Sequence, residues 1–407
     1  MTQTDTPRGN ILDHLRPAAR LLPVSGISEV FDYGRHRQGL IPLWVGEGDL
    51  PTPRFICDAA AASLAAGETF YTYQGGIPEL RDTIAAYMTA HYGRPATDAP
   101  GGFGPERFFV TIGGMHALQL AVQLVAGLGD EVLVPTPAWP NFGGALAAAG
   151  AKTVECRMRF EGEGDHGRWR LAVADLEAAL TPHTRALVIN SPSNPTGWTA
   201  TRDELAELLG FARRHDLWIV ADEIYGRFSY TGERAASFHD VMRSDDRILF
   251  AQTLSKNWAM TGWRIGWLEA PPELGPTIES LVQYSTSGVP VASQRAAIAA
   301  IAGGEDFLAE QVARARHNRD RLAEALHATG RIRCALPDGA FYLFCGVAGV
   351  SDSRDLAFRL IDEAGVGVAP GSAFGPAGEG FVRLCFMRSS DDIAEVARRI
   401  ATWLGRS

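Results

Sequence analysis

The segment TLSKNWAMTGWRIGWLEA, residues Thr253 to Ala270, contains a single lysine, Lys256, among small, aromatic and amide side chains. The nearest second cation in the segment is Arg264. Burial disfavours the ammonium form, so a lysine with mostly uncharged neighbours is expected to have a lowered pKa. A neutral amine is the form that attacks a carbonyl to make a Schiff base. The segment therefore predicts a reactive lysine, and the simpler alternative is a solvated lysine ahead of a hydrophobic strand.

The neighbours of Lys256 indicate what its amine would react with. Ser255 offers a hydroxyl and Arg264 a forked cation, and such groups hold phosphates. An amine, a hydroxyl and an arginine together suggest an aldehyde cofactor that carries a phosphate, which is pyridoxal 5′-phosphate (PLP). The order Ser255, Lys256, Gly262, Arg264, Gly266 also resembles the cofactor-lysine segment of the fold type I PLP-dependent aminotransferases of class I/II. This resemblance implies the PLP-dependent transferase fold type I and a transaminase activity.

The composition is that of an ordinary globular protein large enough for two domains. The chain has 407 residues, of which 46% are hydrophobic and 21% are charged, and its formal net charge is −9. The negative charge argues against a nucleic-acid partner or an anionic membrane surface. The five cysteines form no C-x-x-C pair, which predicts reduced thiols and no zinc site. With no apolar signal core near the N-terminus, we expect a cytoplasmic enzyme that binds no metal.

Strand-like and helix-like runs alternate from Arg107 onward. The strand-like runs include RFFVTIGG, DEVLVPTP, TRALVINSP, LWIVADEIY and RILFAQTLSK. Such alternation predicts an α/β fold whose mostly parallel sheet is covered by helices on both faces. After Pro271 a long helical region and three later strand-like runs indicate a smaller α+β domain. By resemblance we expect a large PLP-binding domain over residues 51–285, with residues 1–50 and 286–407 forming the small domain.

Ligands of a parallel sheet bind outside the carboxyl ends of its strands, and the candidate residues lie there. Asp222, in the apolar run WIVADEIY, is the carboxylate predicted to keep the cofactor's pyridine nitrogen protonated. Tyr225 and Asn194 are predicted to donate hydrogen bonds to the phenolate oxygen of the same ring. A strand-end carboxylate that caps the next turn is the alternative for Asp222, and Glu223 is expected to be structural.

The phosphate and the two faces of the ring need other groups. In TIGGMHAL a glycine turn leads into a helix whose N-terminal N–H groups attract an anion. We assign backbone contacts with the phosphate to Gly114 and Met115, and side-chain contacts to Ser255 and Arg264. Trp139, in PTPAWPNF, falls where the relatives carry an aromatic that stacks on the ring, although it could equally anchor the core.

The substrate carboxylate is expected to bind Arg383, because a planar arginine meets a carboxylate with two hydrogen bonds. Arg383 stands alone in the apolar run FVRLCF, and an internal acidic partner is the alternative. Gly46, in the turn after IPLWV, matches the family's glycine beside that carboxylate. The run FYTYQGGIPELR resembles the segment whose tyrosine reaches the cofactor phosphate of the partner subunit, which places that role on Tyr71 in a homodimer with shared active sites.

The resemblance implies transamination by a ping-pong route, in which Lys256 acts as general base and acid. Amino-acid and 2-oxo-acid substrates are therefore expected. A PLP-dependent carbon–sulfur β-lyase is an alternative within the same chemistry. We do not expect a transcriptional regulator with this fold, because such proteins carry a winged-helix DNA-binding domain ahead of the PLP domain, whereas about forty residues precede Gly46 here and the chain is acidic.

The primary amino donor is predicted to be neutral, that is apolar, aromatic or polar uncharged. Similar aspartate-type enzymes place a lysine directly after the double glycine, where this chain has Met115. The segment Gln283 to Pro290, which in similar enzymes approaches the neighbouring site, contains no Lys or Arg, and neither does Ser25 to Phe31, expected near the entrance. An aspartate-type aminotransferase remains the alternative if a distant arginine, Arg20 or Arg35, reaches the site.

Overall fold

The fold is taken from a computed structural model that describes residues 10–20, 22, 24–93, 102–162 and 167–405. The first nine residues, which belong to the N-terminal segment searched for a signal peptide, lie outside these ranges. Within the described part of the chain, no helix is both long and apolar enough to cross a membrane.

A seven-stranded sheet forms the centre of the molecule, in the order β1-β7-β6-β5-β4-β2-β3. All neighbouring strands are parallel except where β7 pairs antiparallel with β1 and β6. The prediction of a mostly parallel sheet is therefore confirmed. The strands are β1 Phe108–Thr111, β2 Glu131–Thr136, β3 Lys152–Arg157, β4 Thr184–Asn190, β5 Trp218–Asp222, β6 Ile248–Thr253 and β7 Gly266–Glu269.

Both faces of this sheet are buried, which explains the continuous apolar runs of its central strands. In β5, Ile219 packs into the apolar cluster on one face and Val220 into the cluster on the other. The helices are α1 Pro17–Arg20, α2 Gly26–Gly34, α3 Arg54–Ala65, α4 Pro78–Tyr92, α5 Gly113–Val125, α6 Asn141–Ala149, α7 Val173–Ala178, α8 Arg202–Arg214, α9 Gly275–Ser285, α10 Val291–Gly303, α11 Glu305–His327, α12 Ser353–Arg359 and α13 Ser390–Leu404.

A second, smaller sheet is antiparallel and lies in the C-terminal part of the chain. Its order is β8-β9-β11-β10, from β8 Ile332–Cys334, β9 Tyr342–Val347, β10 Ala369–Pro370 and β11 Phe381–Cys385. Two short strand pairs complete the described β-structure, Ile41–Pro42 with Val366–Gly367 and Arg159–Glu161 with Arg168–Arg170. The first pair ties the N-terminal segment to the C-terminal unit.

The long helical region expected after Pro271 begins with two helices, α9 and α10. Pro290 directly precedes α10, and proline favours the first turn of a helix over its interior. Helix α10 packs against α3 and α4, whereas α11 packs against α13. This packing favours a physical boundary nearer Gly303 than residue 285, and the domain division remains a prediction.

The two units meet at the aromatic side chains that follow β5 and begin β9. Tyr225 and Phe228 lie in one apolar cluster with Phe341 and Tyr342. This contact brings β9 and β11 of the smaller sheet over the carboxyl ends of β5 and β6.

Candidate active site

A cavity of about 580 Å³ opens where the two units meet, in the size range typical of small-molecule sites. The structure brings all but one of the predicted site residues to its wall, and the exception is Tyr71. The predicted residues that line it are Gly46, Gly114, Met115, Trp139, Asn194, Asp222, Tyr225, Ser255, Lys256, Arg264 and Arg383.

Lys256 lies in the turn that follows β6 and projects into the cavity wall. Its Nζ donates a hydrogen bond to the carbonyl oxygen of Gly46 at 2.8 Å. Burial lowers the pKa of Lys256 from 10.5 to about 8. A substantial fraction of the amine is therefore neutral slightly above neutral pH, as a nucleophile or general base requires.

Gly46 is a glycine because of the close approach of a tyrosine. A Cβ at this position would lie 2.2 Å from the hydroxyl oxygen of Tyr342. Any side chain at residue 46 would thus displace Tyr342 or the backbone that accepts from Lys256. The predicted contact of Gly46 with a substrate carboxylate remains a prediction.

Asp222 ends β5 and is 4% exposed. Burial raises the pKa of its carboxyl from 3.8 to about 7, against the opposing effect of a hydrogen bond accepted from the Ile224 N–H at 3.3 Å. No arginine or lysine among the described residues forms an ion pair with it. A buried carboxyl without a cation suits a ligand that supplies one, such as a protonated ring nitrogen.

Tyr225 is fully enclosed and its hydroxyl lies 2.7 Å from the hydroxyl of Tyr342. Burial raises its pKa well above the usual value of 10, so it stays protonated and can donate. Asn194 is also buried, and its Oδ1 accepts a hydrogen bond from Nη1 of Arg383 at 3.0 Å. Both side chains line the cavity near Asp222, and their donation to a ring oxygen remains a prediction.

The region predicted to bind the phosphate lies at the N-terminus of α5. Gly113 has φ +73°, and a Cβ there would lie 2.6 Å from Nη2 of Arg264, so the guanidinium rests against the glycine turn. Arg264 itself has φ +51° and donates from Nη1 to the carbonyl oxygen of Thr261 at 2.7 Å. With the hydroxyl of Ser255 on the same wall, helix N–H groups, a cation and a hydroxyl face one region.

Arg383 lies in the middle of β11 and is 2% exposed. It donates to Asn194 Oδ1 and to the carbonyl oxygen of Trp44, while its Nε has no hydrogen-bond partner among the described groups. Its guanidinium carbon lies 4.7 Å from the ring centre of Tyr342 and 5.1 Å from that of Phe374. The described residues include no acidic partner for Arg383, which favours an external carboxylate over the internal one.

Trp139 and Met115 also line the cavity. The Trp139 ring packs edge-on to Phe142, with the ring centres 5.6 Å apart, and its stacking on a cofactor remains a prediction. Met115 is half-buried, and its Sδ accepts a hydrogen bond from Nδ2 of Asn141 at 3.6 Å.

Tyr71 lies outside the cavity of its own chain. Its side chain is 95% exposed, in an aromatic surface formed by Phe70, Tyr71, Tyr73 and Tyr284. Gln74 donates to Gln283 at 2.6 Å, which holds the two contributing segments together. A role for Tyr71 in a site of its own chain is thus not supported.

Several wall residues were not identified from the sequence: Trp44, Asn141, Asn190, Thr261 and Tyr342. Asn190 had a signal, because it ends β4 as Asp222 ends β5, and the two are paired in register. Tyr342 had none, since an aromatic in an apolar strand is an ordinary core residue.

Comparison with known proteins identifies the family to which this chain is similar. The family described as aminotransferase class I and II matches residues 39–400. The chain is 36% identical to the aspartate/prephenate aminotransferase of Thermus thermophilus, over 91% of this chain and 93% of that protein. It is 34% identical to aromatic-amino-acid aminotransferase 2 of Thermococcus litoralis, over 92% of this chain and 94% of that protein. The solved structure of the Thermus thermophilus aspartate aminotransferase with maleate superposes with a TM-score of 0.85, at 32% identity over 95% and 99% of the two chains.

Proposed function

Because the chain belongs to the class I and II aminotransferases and is a PLP-dependent enzyme, we propose that the cavity residues act as follows on a neutral amino donor. Ser255, Arg264 and the N–H groups at Gly114 and Met115 would hold the cofactor phosphate. Asp222 would hold the ring nitrogen, with Tyr225, Asn194 and Trp139 at the ring. When bound, PLP withdraws electrons from the bonds of the substrate α-carbon.

The other steps depend on side chains of this chain. Arg383 binds the donor α-carboxylate through guanidinium N–H groups, which fixes the α-carbon relative to Lys256. The neutral amine of Lys256 would then take the proton from that carbon and, as general acid, donate it to the aldehyde-derived carbon of the cofactor. Because burial raises the pKa of Asp222 to about 7, a cation beside it, such as a protonated ring nitrogen, would favour its ionised form. The resulting ping-pong route exchanges an amino acid for a 2-oxo acid.

One observation supports a neutral donor. The cations in the described cavity wall are Lys256, Arg264 and Arg383, and the roles above occupy all three. The distant candidates Arg20 and Arg35 do not line this cavity. Nη1 of Arg20 lies 3.2 Å from Oδ1 of Asp13, and Nε of Arg35 lies 3.5 Å from Oδ1 of Asp32. A second substrate carboxylate would lack a partner, which costs roughly 3–5 kcal/mol in a buried site. The names of the relatives include both aromatic and aspartate enzymes, so they do not decide the donor.

A panel of amino donors with one 2-oxo acid tests this proposal. We expect neutral donors to exceed aspartate and glutamate in kcat/KM by at least about tenfold, since 1.4 kcal/mol already corresponds to that factor. The variant Met115→Lys should raise aspartate activity and lower that of apolar donors, while Met115→Leu should do neither. If aspartate or glutamate leads in the wild type by tenfold, the donor assignment is wrong.

The same panel separates transamination from carbon–sulfur β-elimination. Incubation with cysteine-type donors and no 2-oxo acid should release no pyruvate or ammonia. Catalytic release of both, without amine transfer, would favour the β-lyase alternative.

We also propose a homodimer in which Tyr71 reaches the partner's cavity. The exposed aromatic surface of Phe70, Tyr71, Tyr73 and Tyr284 is the kind of surface that a second copy covers.

The five cysteines are free thiols, which supports a cytoplasmic location.

Co-expression of two inactive variants tests the shared site. In a hybrid of Lys256→Ala and Tyr71→Ala subunits, one cavity has its own Lys256 and the partner's intact tyrosine. Random pairing should therefore restore up to about a quarter of wild-type activity, because half of symmetric dimers are hybrids with one intact site of two. If Tyr71 serves its own chain, or the enzyme sediments as a fully active monomer, activity will not return in this way.

A further inference from the structure

A second cavity of about 590 Å³ lies beside the first, between α2, α5, α6 and the turn after β10. It is as large as the active-site cavity and belongs to none of the roles assigned above. The residues that line it are Leu22, Val24, Ser25, Gly26, Met115, Gln119, Pro140, Asn141, Gly144, Ala145, Ala148, Ser372 and Ala373.

The two cavities share part of their walls. Ser25, Met115, Pro140 and Asn141 line both of them. Between the cavities, the amide of Asn141 donates to Met115 Sδ at 3.6 Å. A thioether is a weak acceptor on a flexible side chain, so this contact separates at little cost. The Met115–Asn141 pair therefore forms a partition that a substrate group can displace.

The chemistry of the second cavity favours an apolar group. None of the described residues that line it is charged, and most of their side chains are aliphatic or absent. Helix α6 contributes three of the smallest, Gly144, Ala145 and Ala148. A Cβ added at Gly144 would meet no atom within 4 Å, so the helix leaves open space here.

We propose that this second cavity receives the distal part of a long apolar or aromatic donor side chain, which enters between Met115 and Asn141. The proposal rests on the neutral-donor function and specifies its substrate class: large apolar amino acids in preference to small ones. The α-carboxylate stays on Arg383, so the donor spans both cavities.

A homologous series of donors tests the idea on the holoenzyme. L-alanine, L-norvaline, L-norleucine and L-2-aminooctanoate differ only in methylene count, and L-phenylalanine and L-tryptophan add rings. We expect kcat/KM to rise along the series by up to about fourfold per methylene, as burial of each such group in an apolar site allows. A flat or falling series would overturn the proposal.

Substitutions on α6 locate the effect. Gly144→Leu should fill the cavity and lower the norleucine-to-alanine ratio of kcat/KM by at least tenfold, and Gly144→Ala should lower it less. Replacing glycine inside a helix by leucine does not weaken the helix, so folding should be retained. Ala147→Leu adds similar bulk to the same helix at a residue that lines neither cavity, and it should leave the ratio unchanged.

The outcomes separate this inference from the function on which it rests. If no neutral amino acid is a donor, the proposed function fails. If neutral donors react but Gly144→Leu leaves the ratio unchanged, or Ala147→Leu lowers it equally, only the second-cavity inference fails.

Discussion

Replacing Lys256 with alanine should lower kcat by about a thousandfold, the middle of the 10²–10⁴ that a positioned general base contributes. The amine lies at the cavity wall, 2.8 Å from the Gly46 carbonyl oxygen, and burial lowers its pKa to about 8. No second lysine lines the cavity to replace it, among the described residues. Steady-state rates with the best donor of the panel measure the effect.

The fold should survive this substitution. The side chain accepts no hydrogen bond, and its loss leaves only the Gly46 carbonyl without that partner, at the edge of an open cavity. The circular dichroism spectrum and the thermal midpoint of the cofactor-free variant should match those of the cofactor-free wild type. A folded Lys256→Ala enzyme with half the wild-type rate would refute the role of Lys256.

Asp222→Asn should have the second largest effect, a loss of at least about a hundredfold in kcat. It removes a preorganised charge but keeps a side chain of the same shape, and such losses typically cost 10²–10³ in rate. Cofactor content should fall far less than activity, because the phosphate contacts are untouched. Rates and bound cofactor, measured on the same preparation, test this.

A neighbouring residue provides the matched control for Asp222. Glu223 is equally buried, but its carboxylate accepts from Ser237 Oγ at 2.6 Å and from the Phe238 N–H at 3.0 Å. It lines neither cavity, so Glu223→Gln should cost stability and leave kcat within severalfold. If Asp222→Asn retains near wild-type activity, another group contacts the ring nitrogen.

Asp222→Asn should also change how the free energy of unfolding depends on pH. The folded pKa of Asp222, about 7, lies above its ordinary value of 3.8, so the folded cofactor-free protein binds this proton more tightly than the unfolded chain. This tighter binding of the Asp222 proton stabilises the folded state fully below pH 3.8, and the stabilisation is lost as the pH rises through 7. Between pH 5 and pH 8.5, the free energy of unfolding of cofactor-free Asp222→Asn should rise relative to that of the cofactor-free wild type by at least about 2 kcal/mol, since one pKa unit is 1.36 kcal/mol. Denaturant unfolding at both values tests this, and a constant difference would contradict it.

The sheet and its ligand edge were predictable because each depends on local pattern. Runs such as WIVAD and ILFAQT are apolar throughout, as strands buried on both faces must be. Asp222 ends one strand and Lys256 lies just past the end of another, which placed both at one edge of the sheet. Strand β7 was harder to predict from the sequence, because it has only four residues, between the lysine loop and the turn at Pro271.

What the sequence could not show depends on contacts between distant segments. Tyr342 reaches Tyr225 only because β9 of the smaller sheet lies over β5, and no spacing in the chain records that approach. That no described acidic residue pairs with Arg383 is likewise a property of the folded chain. The second cavity arises from small residues on α6, which in sequence are simply an alanine- and glycine-rich helix.

The most direct test of the account is to locate the covalent attachment of PLP. The holoenzyme is reduced with borohydride, digested, and analysed by mass spectrometry, with Lys256→Ala enzyme treated in parallel. The account predicts that a reduced pyridoxyl adduct will be found on Lys256 and on no peptide of the variant. An adduct on Lys152, an exposed lysine that pairs with Glu131, with none on Lys256, would contradict it.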